Sequence, residues 1–255
     1  MNVAERFRAL HVPGRPLLMP NPWDVGSARV LAELGFAALA TTSSGHAATL
    51  GRSDGEVSRA EALDHAGALV RAVDVPVSAD LVDGFGADPA DVAATVTAAA
   101  AVGLAGCSIE DWSPASGIHE HRRAAERVGA AVEAARAAGD LVITARAENL
   151  IRDVHDLPDT IARLQAYQEA GADVLYAPGL TTLADVRSVV SSLDRPVNVL
   201  VLPGLPPVAD LADAGVARIS VGGGFAAVAR AAVSAAAREL LAHGTYGWLD
   251  ALDRS

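Results

Sequence analysis

Three short stretches carry polar residues at every second position. VSADLV sets Ser78, Asp80 and Val82 on one face of an extended chain, CSIE sets Ser108 and Glu110, and TARAE sets Thr144, Arg146 and Glu148. Each stretch ends an apolar run, where a buried carboxylate has to be paired or to bind a cation. If the three faces meet, Asp80 and Glu110 converge beside Arg146. Oxygen donors of this kind suit Mg2+ or Mn2+. The guanidinium can grip a substrate carboxylate through two parallel hydrogen bonds. The same spacing equally describes an ion-pair network that plugs a core, with Arg146 held by Glu148, Glu110 or Asp80.

Composition removes several other chemistries. The 20 basic residues are all arginine, and a chain of 255 residues without lysine can form no Schiff base through a lysine amine. It also lacks the phosphate-binding lysine of a Walker loop. Cys107 is the single cysteine, so neither an internal disulfide nor a cysteine zinc site is available. Its alternation away from Glu110 makes it a packing residue against a helix. With 31 acidic residues the net charge is −11, which argues against nucleic acid and against an anionic membrane surface. The N-terminal MNVAERFRAL has no basic-then-apolar leader pattern, and the expected location is cytoplasmic. The uncharged run 92–109 is long enough to span a membrane, but its Ala, Thr and Gly content fits the end of a helix followed by a strand.

Secondary candidates carry weaker patterns. His119-x-His121 has no third metal ligand nearby and fits a solvated helix start. Gly222-Gly223-Gly224 opens the last helix, as an anion-binding turn or as a tight turn only.

The elements that would position these residues are legible at the glycines. Gly35, Gly103, Gly139, Gly171 and Gly215 each close an apolar-periodic stretch and precede a short β-like run. Eight strands are expected, at 17–20, 37–42, 75–80, 105–110, 141–146, 173–177, 197–202 and 217–221. Several are apolar on both faces, as buried parallel strands are. Ser58 with Glu61 forms a capping box, and Asp24 and Thr182 cap other helices. Eight strands alternating with helices over this length predict a single-domain α/β protein, a (β/α)8 TIM barrel, whose site lies at the C-terminal ends of the strands. The segment after the first strand, MPNPWDVG, is no dinucleotide fingerprint, which disfavours an open doubly wound sheet.

Together, the strings NPWDVGSAR, TTSSGHAATLG-xx-DGE, PVSADLVDGFG, SIED and TARAE resemble the isocitrate lyase/phosphoenolpyruvate mutase superfamily, in order from Phe7 to Ala232. The likeness is strongest to its short branch near oxaloacetate decarboxylases and carboxyphosphonoenolpyruvate mutases. It implies a Mg2+-dependent barrel that cleaves or forms C–C or P–C bonds in small α-oxyacids. It places Ser44, Gly45 and His46 in the segment that cradles the substrate carboxylate and carbonyl, and Asp54 on a mobile gating loop. It makes Asp80 the direct metal ligand, Glu110 the acid ordering metal-bound water, and Arg146 the substrate-binding arginine. It further implies a homodimer or homotetramer, with the last helix at a subunit contact.

Departures from the pattern narrow the chemistry. Val82 stands where the family carries a second acid, and alternation aims the neighbouring Asp83 the other way. The loop WSPASGIHEHRR lacks the lysine and cysteine of isocitrate-type lyases, and Ala177 replaces a mutase histidine. His46 stands where a smaller or apolar residue is usual and is either an acid–base group or a wall residue. The expected function is a Mg2+-dependent C–C lyase acting on a small 2-oxo or 2-hydroxy carboxylate through an enolate-like intermediate. P–C chemistry of the phosphonopyruvate type is the alternative, and a metal-free carboxylate-binding barrel is the alternative outside catalysis.

Overall fold

A computed structural model of the chain describes residues 1–252. Eight parallel strands form one sheet curled into a nearly closed barrel: β1 Leu17–Met19, β2 Leu39–Ala40, β3 Val77–Asp80, β4 Gly106–Glu110, β7 Val142–Arg146, β8 Val174–Tyr176, β9 Val197–Leu200 and β10 Arg218–Ser220. The order is β1-β10-β9-β8-β7-β4-β3-β2, and the Ala40 N–H donates to Pro20 O at 3.1 Å across the remaining seam. All eight strands fall inside the expected windows. The second is shorter than its window because Thr42 already caps α3 Ser43–Thr49.

A two-stranded antiparallel hairpin, β5 Trp112–Ser113 and β6 Gly117–Ile118, follows β4 and was not anticipated from the sequence. The helices that cover the barrel are α2 Val25–Glu33, α4 Arg59–Ala72, α5 Pro89–Ala101, α6 His121–Ala137, α7 Leu157–Glu169, α8 Leu183–Ser191 and α9 Val208–Asp213. α1 Val3–Ala9 lies under the barrel floor, where Phe7 packs with Leu17, Met19, Ala105, Val142 and Val174. The run 92–109 resolves into most of α5, a turn, and most of β4. No helix among the described residues is long and apolar enough to cross a membrane.

Most of the core lies between the barrel and its helices. One cluster joins β3 and β4 to α4, α5 and α6, with Leu69, Val96, Cys107 and Ile143 fully buried. Cys107 thus packs outward, and burial pushes its thiol up to about 12. A second cluster joins β7 to β10 with α6 to α9 around Leu164, Leu175, Val199 and Leu211. The polar side chains that do point inward at the strand ends are paired with one another. The capping boxes of Asp24 and Ser58 and the Thr182 cap form as expected. Glycines such as Gly171 (φ +98°) and Gly215 (φ +86°) end their helices in the left-handed region.

The long terminal helix α10 Gly224–His243 departs from this pattern. Ala226 is its one buried residue, while Val228, Val233 and Leu241 are 67%, 70% and 88% exposed. A short α11 Leu249–Leu252 follows, with Trp248 and Leu249 exposed.

Candidate active site

The strand ends bring Asp80, Glu110 and Arg146 together. Register sets Asp80 beside Ser108 and Glu110 beside Arg146, so the three polar faces point into one barrel mouth. Arg146 Nη1 donates to Asp80 Oδ1 at 3.1 Å and lies 3.0 Å from Glu110 Oε1. Its Nε donates to Glu148 Oε1 at 2.9 Å. Nη2 has no partner among the described residues. Tyr176 lies under the guanidinium, 5.0 Å from ring centre to Cζ.

Three carboxylates around one arginine leave negative charge in excess. Burial pushes the Glu110 carboxyl well above its usual range; Arg146 pulls it back, while Glu148 and Asp80 push it further up. Glu148 is raised for the same leading reason, and its Oε2 is buried without a hydrogen-bond partner. Arg152, from the turn after β7, adds looser ion pairs at 3.7 Å to Glu110 and 3.6 Å to Glu148. It stacks on Trp112 of the hairpin, 3.3 Å from the ring centre.

Neighbouring groups fix this cluster. Asp80 Oδ2 accepts from the Ser43 N–H at 3.2 Å, and the Asp80 N–H donates to Thr41 Oγ1 at 2.9 Å. Glu148 N–H donates to Asp111 Oδ1 at 2.8 Å. Asp111 is itself buried and accepts from Arg163 at 3.2 Å and from the Tyr167 hydroxyl at 2.5 Å. Asn21 Oδ1 takes the N–H groups of Val221 and Gly222, so part of the glycine turn is already occupied.

The remaining sequence candidates are spread over the mouth. Ser44 lines the main cavity, with its hydroxyl 3.2 Å from that of Thr42. Gly45 does not line that cavity. Its N–H is held by Thr42, and a Cβ there would overlap Thr42 and Trp23. His46 lies in a smaller adjoining recess, stacked on His65 at 3.8 Å between ring centres, with a buried, unpartnered Nδ1. Burial lowers its pKa. Asp54 is exposed in the turn between α3 and α4 and borders the cavity and both smaller recesses. His119 and His121 do not pair on a metal: His121 Nε2 meets Asp159 at 2.5 Å, and no cluster of three or more potential ligands of the His, Cys, Asp or Glu type occurs among the described residues.

Alternation put Val82 on the Asp80 face and Asp83 on the opposite one. β3 instead ends at Asp80, and Val82 adopts φ +44°, in the left-handed region. The chain therefore turns, and Asp83 borders the chamber formed with Glu110, Trp112 and Arg152. Arg127, fully buried on α6, holds this turn by donating to the carbonyls of Asp83, Gly86 and Ala87. Glu148 could have been promoted from alternation alone, and Arg152 from its spacing of four after Glu148. Asp111 and Arg127 gave no local signal.

Asp80 and Glu110 both approach one nitrogen within 3.1 Å and offer only oxygen donors; Glu148 Oε2 is buried behind them without a hydrogen-bond partner, which makes a two-carboxylate site rather than a three-ligand cage. That chemistry fits a hard cation.

The profile described as phosphoenolpyruvate phosphomutase matches residues 7–241. The chain belongs to this family. It is an enzyme of the isocitrate lyase/phosphoenolpyruvate mutase superfamily. Among curated relatives, 2-methylisocitrate lyase of Halalkalibacterium halodurans is 31% identical over 201 residues, covering 76% of this chain and 66% of the relative. The 2,3-dimethylmalate lyase of Eubacterium barkeri is 34% identical, covering 69% and 63%. Among solved structures, oxaloacetate acetylhydrolase with bound oxalate superposes with TM-score 0.87 at 26% identity, covering 96% of this chain and 89% of that one.

Proposed function

We propose that this enzyme is a divalent-metal-dependent lyase that cleaves a C–C bond in a small 2-oxo or 2-hydroxy carboxylate through an enolate-like intermediate. The observation that carries the reading is the convergence of Asp80, Glu110 and Glu148 on Arg146 in a cavity of about 290 Å3, a volume suited to a small acid. Relatives named as lyases of 2-methylisocitrate and of 2,3-dimethylmalate support it.

Asp80 and Glu110 would hold Mg2+, with Mn2+ as a substitute, and Glu148 would stand behind them. The bound cation supplies Lewis-acid polarisation of the substrate's α-oxygen. Arg146 stays charged whatever the pH, and its unpartnered Nη2 is available to a substrate carboxylate. Tyr176 lies under the guanidinium and holds it on the β8 side of the cavity. Ser44 orients the carboxylate from above, with Gly45 and His46 fixing its helix. Asp54 closes over the mouth. Burial disfavours the charged form of His46 and the ring sits one recess away, so its part is to shape the wall beside Asp80.

The enzyme is proposed to act in the cytoplasm as a homodimer or homotetramer, with no nucleic-acid or membrane partner. The uncovered apolar face of α10 supports the self-association. A substrate panel with and without Mg2+ tests the chemistry: oxaloacetate and 2-alkylmalates are expected to be cleaved. Turnover of phosphonopyruvate instead would assign P–C chemistry. Binding without any turnover would leave a carboxylate-binding barrel.

A further inference from the structure

Buried arginines in this chain come with partners that offset their charge. Arg146 faces three carboxylates, Arg163 faces Asp111 and Asp159, and Arg127 faces three backbone carbonyls. Arg218, at the start of β10, has neither arrangement. Only 3% of it is exposed, and no carboxylate lies within 4.0 Å among the described residues.

Its two contacts are neutral. Nε donates to Asn198 Oδ1 at 2.9 Å, and Nη1 lies 3.2 Å from His11 Nε2. His11 Nδ1 is 2.9 Å from the Phe7 carbonyl, which can only accept, so that nitrogen carries the proton and Nε2 accepts from Arg218. Asn198 is fixed in turn by donating to Ser220 Oγ at 3.0 Å. Arg218 is therefore held in place by uncharged groups, with Nη2 unpartnered among the described residues. Burial pulls its pKa down to about 9, which leaves it charged at neutral pH.

The residue lines the same cavity as the carboxylate cluster. Arg146, Tyr176, Asn198 and Arg218 are successive register partners across β7, β8, β9 and β10. The cavity thus has an acidic wall on β3 and β4 and an uncompensated cation on the opposite side. Barrel interiors are ordinarily filled by branched apolar residues, and an isolated buried charge is unfavourable until an anion meets it.

We propose that Arg218 is a specificity-determining residue that receives a second carboxylate of the substrate, distinct from the one held at Arg146. Asn198 and Ser220 position it. The preferred substrates are then dicarboxylates, and monocarboxylic oxyacids bind weakly. This rests on the oxyacid-lyase reading above.

The experiment compares two probes that differ only by that carboxylate, malate and lactate, by calorimetric titration in the presence of Mg2+. Wild type is expected to prefer malate. Arg218→Met should weaken malate binding about 10- to 100-fold, the range of a hydrogen bond to a charged group, and leave lactate within about twofold. Asn198→Asp keeps Arg218 but supplies an internal anion, so it covers the case in which Arg218→Met fails to fold. It should erase the malate preference while thermal stability is maintained or raised. Malate affinity unchanged in folded Arg218→Met or in Asn198→Asp overturns the proposal, as does an equal loss for both probes. Wild type that binds neither probe and cleaves no oxyacid overturns the oxyacid-lyase reading itself, and this inference with it.

Discussion

The backbone N–H of Glu110 donates to the carbonyl of Val82 at 2.8 Å. This bond ties the end of β4 to the residue that turns the chain after β3, so the two acids of neighbouring strands share one rigid edge. It also explains how a β-branched residue is kept at φ +44°, a conformation that L-residues with branched side chains rarely adopt. Arg127 clamps the other side of the same turn.

Asp80→Ala is expected to abolish turnover and divalent-cation binding while the fold survives. Arg146 keeps Glu110 at 3.0 Å and Glu148 at 2.9 Å, so no charge is stranded. Relief of repulsion among the three carboxylates offsets only part of the cost of freeing the Ser43 N–H, so unfolding free energy should fall by about 1–3 kcal/mol and the fold survives. Calorimetric Mg2+ titration and chemical denaturation check both halves; an unchanged Mg2+ affinity would remove Asp80 from the metal site.

Arg146→Lys should cripple substrate binding although charge is kept. One planar fork now serves Asp80, Glu110 and Glu148 through two nitrogens and leaves a third nitrogen over. A lysine ammonium cannot reproduce that geometry. A fall in oxyacid affinity of about 10-fold or more, beyond any loss of stability, identifies the substrate role. Reduced stability with unchanged affinity identifies an ion-pair plug.

Val82→Glu and Asp83→Asn together locate the missing acid. Val82 borders recesses shared with both Asp80 and Glu110, so a carboxylate there should tighten Mg2+ binding by about 10-fold. Asp83→Asn preserves the bond from Phe85 N–H to Oδ1, 3.0 Å, and removes only charge. Weaker Mg2+ binding in Asp83→Asn would show that Asp83 already serves in place of the acid. No Mg2+ binding in any of these proteins, with or without oxalate, would favour the metal-free barrel.

Acid should destabilise the fold through His11. Burial, followed by the charge of Arg218, lowers its pKa from 6.5 to about 3. The unfolded chain takes up the proton first, so this stability is complete above about pH 6.5 and is lost as pH falls towards 3. The slope is about 1.4 kcal/mol per pH unit for one proton. Glu110 has the opposite sign: its raised folded pKa makes its contribution fade as pH rises. His11→Gln isolates the histidine, and its unfolding free energy should fall less steeply below neutrality than that of wild type. Parallel curves for the two proteins would show that His11 does not titrate on unfolding.

Much of this enzyme was legible in its residues. Alternation within β3, β4 and β7 sufficed to select Asp80, Glu110 and Arg146, because a strand covered on both faces sends every second side chain to the barrel axis. Glycine caps and strand spacing sufficed for the barrel. Other features depended on the closed fold. Alternation holds only while the chain stays extended, so the left-handed turn at Val82 reversed the assignment of Asp83. The hairpin that brings Trp112 to Arg152, and the α6 clamp on that turn, join segments with no shared local pattern. Arg218 depended most on tertiary structure. A lone arginine in a strand shows its charge in the sequence, but whether a counter-ion meets it is decided only when β9, β10 and the α1 end close around it. Charge balance in a buried cavity is a sum over strands distant in sequence, and local spacing carries no information about that sum.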